Sequence, residues 1–169
     1  GKEIKLPNSI YTLSKDGKLF CHNDEKGIIY QIDINNGKII KKFKIGILTV
    51  NKDFEDITVI DDTFYLTTSS GDLYNFKEGK KNASVKYEVV STGLTKRNNV
   101  EGLCYDPETN CLLLACKGYA GKGYKKYKAV YAYSLSKNKS LIKPRFLIPS
   151  DEIEKFSKEN NKRYSRYYS

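Results

Sequence analysis

Apolar and polar residues alternate along most of this chain at the two-residue period of β-strands, not the 3.6-residue period of helices. The clearest stretch sets Phe64, Leu66 and Thr68 against Tyr65 and Thr67. The apolar runs are short, and clusters rich in Asp, Asn, Ser and Gly separate them: Lys15-Asp16-Gly17, Glu25-Lys26-Gly27, Asn35-Asn36-Gly37, Asp61-Asp62 and Ser69-Ser70-Gly71. Gly and Asn tolerate the positive φ of tight hairpins, so each cluster reads as a turn between antiparallel strands. The pattern predicts strands over 8–14, 18–24, 28–34 and 38–45, then 55–60, 63–68, 72–76 and 85–91, then 101–105, 111–117, 128–135 and 141–148. The apolar run Cys111-Leu112-Leu113-Leu114-Ala115-Cys116 reads as a strand buried on both faces.

These strands fall into three units that start alike. Ser9-Ile10-Tyr11-Thr12, Glu55-Asp56-Ile57-Thr58 and Glu101-Gly102-Leu103-Cys104 lie 46 residues apart (55 − 9 and 101 − 55). A fixed return of about 40–45 residues with four strands per unit is how propeller blades read in sequence. Strands at this spacing also fill sandwiches and solenoids, but the repeated first strand favours an all-β propeller of three four-stranded blades over 8–45, 53–91 and 99–148. Three blades leave sheet edges open, and ring closure removes them. Either further blades lie outside this chain or two copies pair as a homodimer to complete a ring. After Pro149, Ser150 stands as a helix N-cap with Asp151 and Glu152 in the first turn and Ile153 and Phe156 three apart. A short helix is expected over 150–160, and 161–169 reads as a tail or linker.

Composition changes this picture little. The 169 residues suit a single domain, rich in aromatics with 14 Tyr and 7 Phe. No segment approaches the roughly 18 apolar residues of a membrane span. The formal charge of +10 raises the question of nucleic acid, but the lysines scatter through 38–44, 80–86 and 117–128. No helix-turn-helix, finger or ribonucleoprotein pattern accompanies them, so a solvated surface is expected and nucleic acid is not.

Cys21, Cys104, Cys111 and Cys116 form no CxxC pair, and His22 is the single His, which argues against structural zinc. With Tyr105 opposite Cys111 across the turn 106–110, Cys104 and Cys111 point to opposite faces, so buried free thiols are expected rather than a disulfide.

Several ordered segments carry a family likeness. Ser9, Asn23-Asp24-Glu25-Lys26-Gly27-Ile28-Ile29-Tyr30, Asp53-Phe54-Glu55-Asp56-Ile57, Ser70-Gly71-Asp72-Leu73-Tyr74 and Asn99-Val100-Glu101-Gly102-Leu103-Cys104-Tyr105-Asp106-Pro107 resemble the SdiA-regulated, YjiK-like β-propeller proteins. The resemblance spans most of residues 5–148. It implies a six-bladed propeller of bacterial exported or lipid-anchored proteins, of which this chain covers the first half. The expected location is therefore periplasmic or at the outer membrane, with an export signal removed before residue 1. Ile10 and Asp56 stand where the family has Gly, so the channel wall is expected to differ there. The family name states no activity.

In a propeller the first strand of each blade lines the central channel, and its starting end shares a face with the loop between the second and third strands. Ser9, Glu55 and Glu101 are then expected to ring one mouth, with Asp24, Glu25, Asp53 and Asn99 nearby. Oxygen-only ligands suit Ca²⁺ or Mg²⁺, and Ca²⁺ is the expected ion, held by Glu55 and Glu101 with Asp24 or Asp53. The competing reading is that these acids accept backbone N–H bonds or face water. The long loop 117–128 shares the same face and interleaves Lys122 and Lys125 with Tyr119, Tyr124 and Tyr127, a pattern able to bind an anion or sugar. It lacks the Gly-Lys-Ser/Thr ending of a phosphate-binding loop. Two functions follow: an extracytoplasmic propeller binding a small-molecule or protein ligand, or a calcium-dependent ester or phosphoester hydrolase at the channel mouth. His22 lacks a serine context for a nucleophile triad.

Overall fold

The structure is a computed structural model and describes residues 11–14, 16–140 and 143–160. Ser9 and Ile10 lie outside the described residues, as does the tail 161–169. The described residues are mostly β, with one short helix near the C-terminal end. Its strands are β1 Tyr11–Leu13, β2 Leu19–His22, β3 Ile28–Ile32, β4 Ile39–Ile45, β5 Phe54–Ile60, β6 Thr63–Thr68 and β7 Leu73–Lys77. There follow β8 Ser84–Val85, β9 Tyr87–Val90, β10 Val100–Asp106, β11 Cys111–Cys116, β12 Tyr127–Ser134, β13 Lys139–Ser140 and β14 Phe146–Pro149, and then helix α1 Ser150–Asn160.

They form three sheets, β1-β2-β3-β4-β8, β5-β6-β7-β9, and β10-β11-β12 with β13 and β14 both on β12. Within each sheet consecutive strands run antiparallel, as the turn chemistry requires. Left-handed backbone falls at Gly17, Gly37, Asp61, Gly71, Asn110 and Asn138, the tips of the hairpins. Gly27 is different. Its φ is ordinary, and a Cβ there would come within 2.3 Å of the Ile45 side chain, so close packing and not a turn demands glycine.

The core lies in two layers between the sheets. Phe20, Ile29, Phe43 and Ile45 of the first sheet meet Phe54, Ile57, Phe64, Leu66, Tyr74 and Phe76 of the second. Phe64 sits at the centre, edge-on to Phe20 at 4.9 Å and stacked on Phe76 at 5.4 Å. The opposite face of the second sheet presents Ile60, Tyr65, Leu73 and Val90 to Val100, Leu103, Leu112, Leu114 and Tyr133 of the third. The middle sheet is thus covered on both faces, and its first strand β5 lies against both β1 and β10.

Four expectations need correction. The strand placed at 85–91 is two: β8 leaves its own unit to pair in parallel with β4, where Lys44 and Gly46 donate N–H bonds to Ala83 and Val85, and β9 closes the second sheet. In place of the strand expected over 141–148, β13 ends at Ser140 and β14 begins only at Phe146, after Pro144, which has no N–H to give a ladder. Strand β11 is not buried on both faces; Leu112, Leu114 and Cys116 are buried while Ala115 is exposed. Finally, Asp106 and not Tyr105 stands opposite Cys111, because Asp106 caps the turn by accepting from the Glu108 N–H and the Thr109 hydroxyl. That shift puts Cys104, opposite Leu113, on the same face as Cys111. All four cysteines are nonetheless free, with Cys104 exposed and the other three buried.

Candidate functional site

The repeat positions Glu55 and Glu101 share one backbone device. In β5, Phe54 pairs with Thr68 and Asp56 with Thr67, which leaves Glu55 as an extra, unpaired residue. In β10, Val100 pairs with Cys116 and Gly102 with Ala115, which leaves Glu101 in the same situation. Both are β-bulges, a feature that re-aims a side chain out of the alternating pattern of its strand. Burial of the residue before each bulge, Phe54 and Val100, pins them into the core.

Equivalent hydrogen bonds hold the two bulges. The Ser69 N–H donates to the Asp53 carbonyl at 3.0 Å and the Lys117 N–H to the Asn99 carbonyl at 2.9 Å. Across to the preceding sheet, the Phe54 N–H donates to the Asp24 carbonyl at 2.7 Å and the Val100 N–H to the Ser69 carbonyl at 3.0 Å. The start of each first strand is therefore sewn to the second-to-third-strand loop of its neighbour. These bonds bring Asp24, Asp53, Glu55 and Glu101 to one end of the inter-sheet seam.

Electrostatics records that convergence. Burial, then the negative charges of Glu101 and Asp53 and, more weakly, Asp24, push the Glu55 carboxyl up from 4.5 to about 7, with Lys117 opposing them. Glu101 has partners of its own: Asn99 Nδ2 donates to Oε1 at 2.7 Å, and Lys117 Nζ lies 3.3 Å from the same oxygen. Asn99 takes a left-handed conformation to reach it, with φ of 49°.

Of the other residues named from sequence, Glu25 is exposed in the β2–β3 turn, with its N–H on Asn23 Oδ1 and its carbonyl accepting from Lys52. Lys122 and Lys125 are exposed in the loop between β11 and β12 and, among the described residues, form no ion pair with the acids. The cation that reaches the cluster is Lys117, which the sequence pattern does not single out. Its equivalence to Ser69, one residue past the strand, was the available signal.

Two further residues shape the site. Asp56 aims its carboxylate inward, accepting from the Ile57 N–H at 2.7 Å and the Leu103 N–H at 2.6 Å. Burial raises its carboxyl while those two backbone donors pull it back down. His22 is buried beneath the seam, its Nδ1 at 3.1 Å from the Asn23 carbonyl. Its Nε2 has no partner in bonding geometry. Burial lowers its pKa, against the raising influence of the Asn23 carbonyl, the Asp24 charge and the Glu55 backbone.

The four acids at this end of the seam offer oxygen donors, the kind that hard divalent cations prefer. Among the described residues no three carboxyl, imidazole or thiol groups are already drawn into a coordination shell. The acids at this end of the seam repel one another, which together with burial raises the Glu55 carboxyl. The chain matches no protein-family model and no curated protein at a significant level.

Proposed function

We propose that this chain is a ligand-binding portion of an exported β-propeller of the SdiA-regulated, YjiK-like type, and that its ligand site includes a divalent cation, Ca²⁺ first, at the Glu55–Glu101 seam. The single observation that carries the cation site is the convergence of two equivalent bulged glutamates with Asp53 and Asp24, whose charges add to burial in pushing the Glu55 carboxyl up to about 7. Such a cluster is unfavourable alone and favourable around a positive charge. In this reading Glu55 and Glu101 supply carboxylate oxygens, Asp53 or Asp24 assists, and Lys117 is displaced or tolerated at the rim. Strand meanders repeated at 46 residues, with the first strands side by side, support the propeller reading. The ring is completed by further blades or by a second copy.

A calcium-dependent hydrolase acting on an ester or phosphoester has one observation in its favour. A general base works best with a pKa near the operating pH, and Glu55 is so placed.

Calorimetric titration of chelator-treated protein with Ca²⁺ tests the binding reading. Saturable heat that disappears in both Glu55→Gln and Glu101→Gln is expected; no heat and no thermal shift at millimolar metal would remove the proposal. Metal-dependent turnover of generic ester or phosphoester substrates that disappears in Glu55→Gln would move the site to the hydrolase reading.

A further inference from the structure

A cavity whose lining includes none of the seam's acids lies between the connector that joins β9 to β10 and the long loop between β11 and β12. It is an open cleft of about 510 Å³, within the range of roughly 300–1,000 Å³ typical of small-molecule sites. Leu94 and the fully buried Leu114 give it an apolar floor, and Arg97, Tyr119 and Tyr131 line it with them.

Its walls are tied by backbone. The Gly118 N–H donates to the Asn98 carbonyl at 2.9 Å and the Tyr119 N–H to the Arg97 carbonyl at 2.7 Å. Buried Asn98 returns a bond from Nδ2 to the Tyr119 carbonyl at 2.8 Å, and its Oδ1 accepts from the Thr95 N–H at 2.9 Å. A ligand entering this cleft meets a frame already ordered, which lowers the entropic cost of binding.

The charge of the cleft has one sign. No Asp or Glu lines it, and Arg97 forms no ion pair with a carboxylate among the described residues. The Arg97 guanidinium instead lies over the Tyr119 ring, with Cζ 4.8 Å from its centroid. A guanidinium stacked on an aromatic face keeps its edge N–H groups available, and that edge matches the two oxygens of a carboxylate or phosphate. Other hydroxyls of the cleft are occupied: Tyr131 donates to the Ala120 carbonyl at 2.9 Å and Thr95 to Asn98 Oδ1 at 3.2 Å.

We infer that this cleft binds a small ring compound bearing a carboxylate or phosphate, the anion on the Arg97 guanidinium and the ring beside Tyr119 over Leu94 and Leu114. The loop 117–128 contributes through Tyr119, not through Lys122 and Lys125. The site is separate from the acidic seam and does not depend on a metal there.

The test is an amide-resolved NMR titration of the full chain with benzoate, phenyl phosphate and the neutral isostere benzamide. Benzoate or phenyl phosphate is expected to saturate at millimolar concentration or below, with shifts centred on 92–98 and 118–121, and benzamide to bind more weakly. The stronger of the two anions identifies the oxyanion class. Arg97→Gln should weaken both anions at least about tenfold and leave benzamide unchanged. Glu55→Gln, in the other site, should leave all three unchanged, so failure here is distinct from failure of the cation proposal. Absence of saturable shifts, benzamide binding as tightly as the anions, full affinity in a folded Arg97→Gln, or shifts centred on Lys122 and Lys125 would each overturn the assignment.

Discussion

The Leu103 N–H donates to Asp56 Oδ2 at 2.6 Å, a bond between the first strands of two different sheets and between residues 47 positions apart. The other carboxylate oxygen accepts from the Ile57 N–H of its own strand. Asp56 therefore bridges the seam at the level directly below the two bulged glutamates. Gly102 stands at the equivalent position one repeat later; a Cβ there would crowd Ala115 Cβ at 3.3 Å and meet Asp56 Oδ2 at an ordinary 3.9 Å.

Replacing Asp56 with Ala leaves the Leu103 N–H without its acceptor at a half-buried seam. A loss of about 1–3 kcal/mol is expected, read as a lowered urea midpoint with unchanged slope. Asp56→Asn, which keeps one carbonyl oxygen, should recover part of it. An unchanged midpoint in Asp56→Ala would show that the bridge contributes nothing net.

Glu55 makes stability depend on pH in a defined direction. Its folded value, about 7, lies above the ordinary 4.5, so folding takes up a proton between them. The contribution of Glu55 is fully present below pH about 4.5 and is lost as pH rises through about 7. Glu55→Gln cannot ionise, so its melting temperature should gain on the wild type as pH rises across that window. Parallel pH profiles for the two proteins would contradict the convergence of acids at the seam. If Ca²⁺ binds there, its affinity should rise with pH over the same interval as Glu55 loses its proton.

Gly118 carries the contact between the β11–β12 loop and the β9–β10 connector. A Cβ at this position would stand 2.4 Å from the Arg97 carbonyl oxygen and 3.0 Å from that of Asn98, both backbone and unable to swing away. Gly118→Ala is expected to destabilise by about 1–3 kcal/mol through overpacking, with amide shifts changing at 97–99 and 117–119. Wild-type thermal stability in that variant would refute the close approach.

Thiol chemistry separates one cysteine from three. Cys104 is exposed, whereas Cys21, Cys111 and Cys116 are buried, and burial pushes the Cys21 and Cys116 thiols up to about 11. Burial and the neighbouring charges of Asp56 and Asp106 raise the Cys104 thiol as well. Alkylation of the folded chain without reductant should add one label, slowly at neutral pH, and four labels after denaturation. Fewer than four in denaturant would reveal a disulfide and contradict the free-thiol assignment.

The 46-residue return and the Asp, Asn and Gly turns, read as sequence, determined the antiparallel strands and their grouping into three units, and the Ser150 cap with its first-turn acids determined the helix after Pro149, because turns, strand alternation and caps are local properties of a few residues. The same repeat singled out Glu55 and Glu101. Only the tertiary structure decided how those glutamates leave the sheet, since a bulge is a mismatch between two paired strands and is invisible in either one alone. It likewise decided that β8 crosses to the first sheet, that Asp106 takes the place opposite Cys111, and that Lys117 and not Lys122 or Lys125 reaches the acids. Each of those depends on which carbonyl or carboxylate another segment brings within bonding distance. The cleft at Arg97 belongs to the same class, because its two walls are distant in the chain and meet through the backbone bonds of Gly118 and Tyr119 to Asn98 and Arg97, the Asn98 side chain and the Arg97–Tyr119 contact.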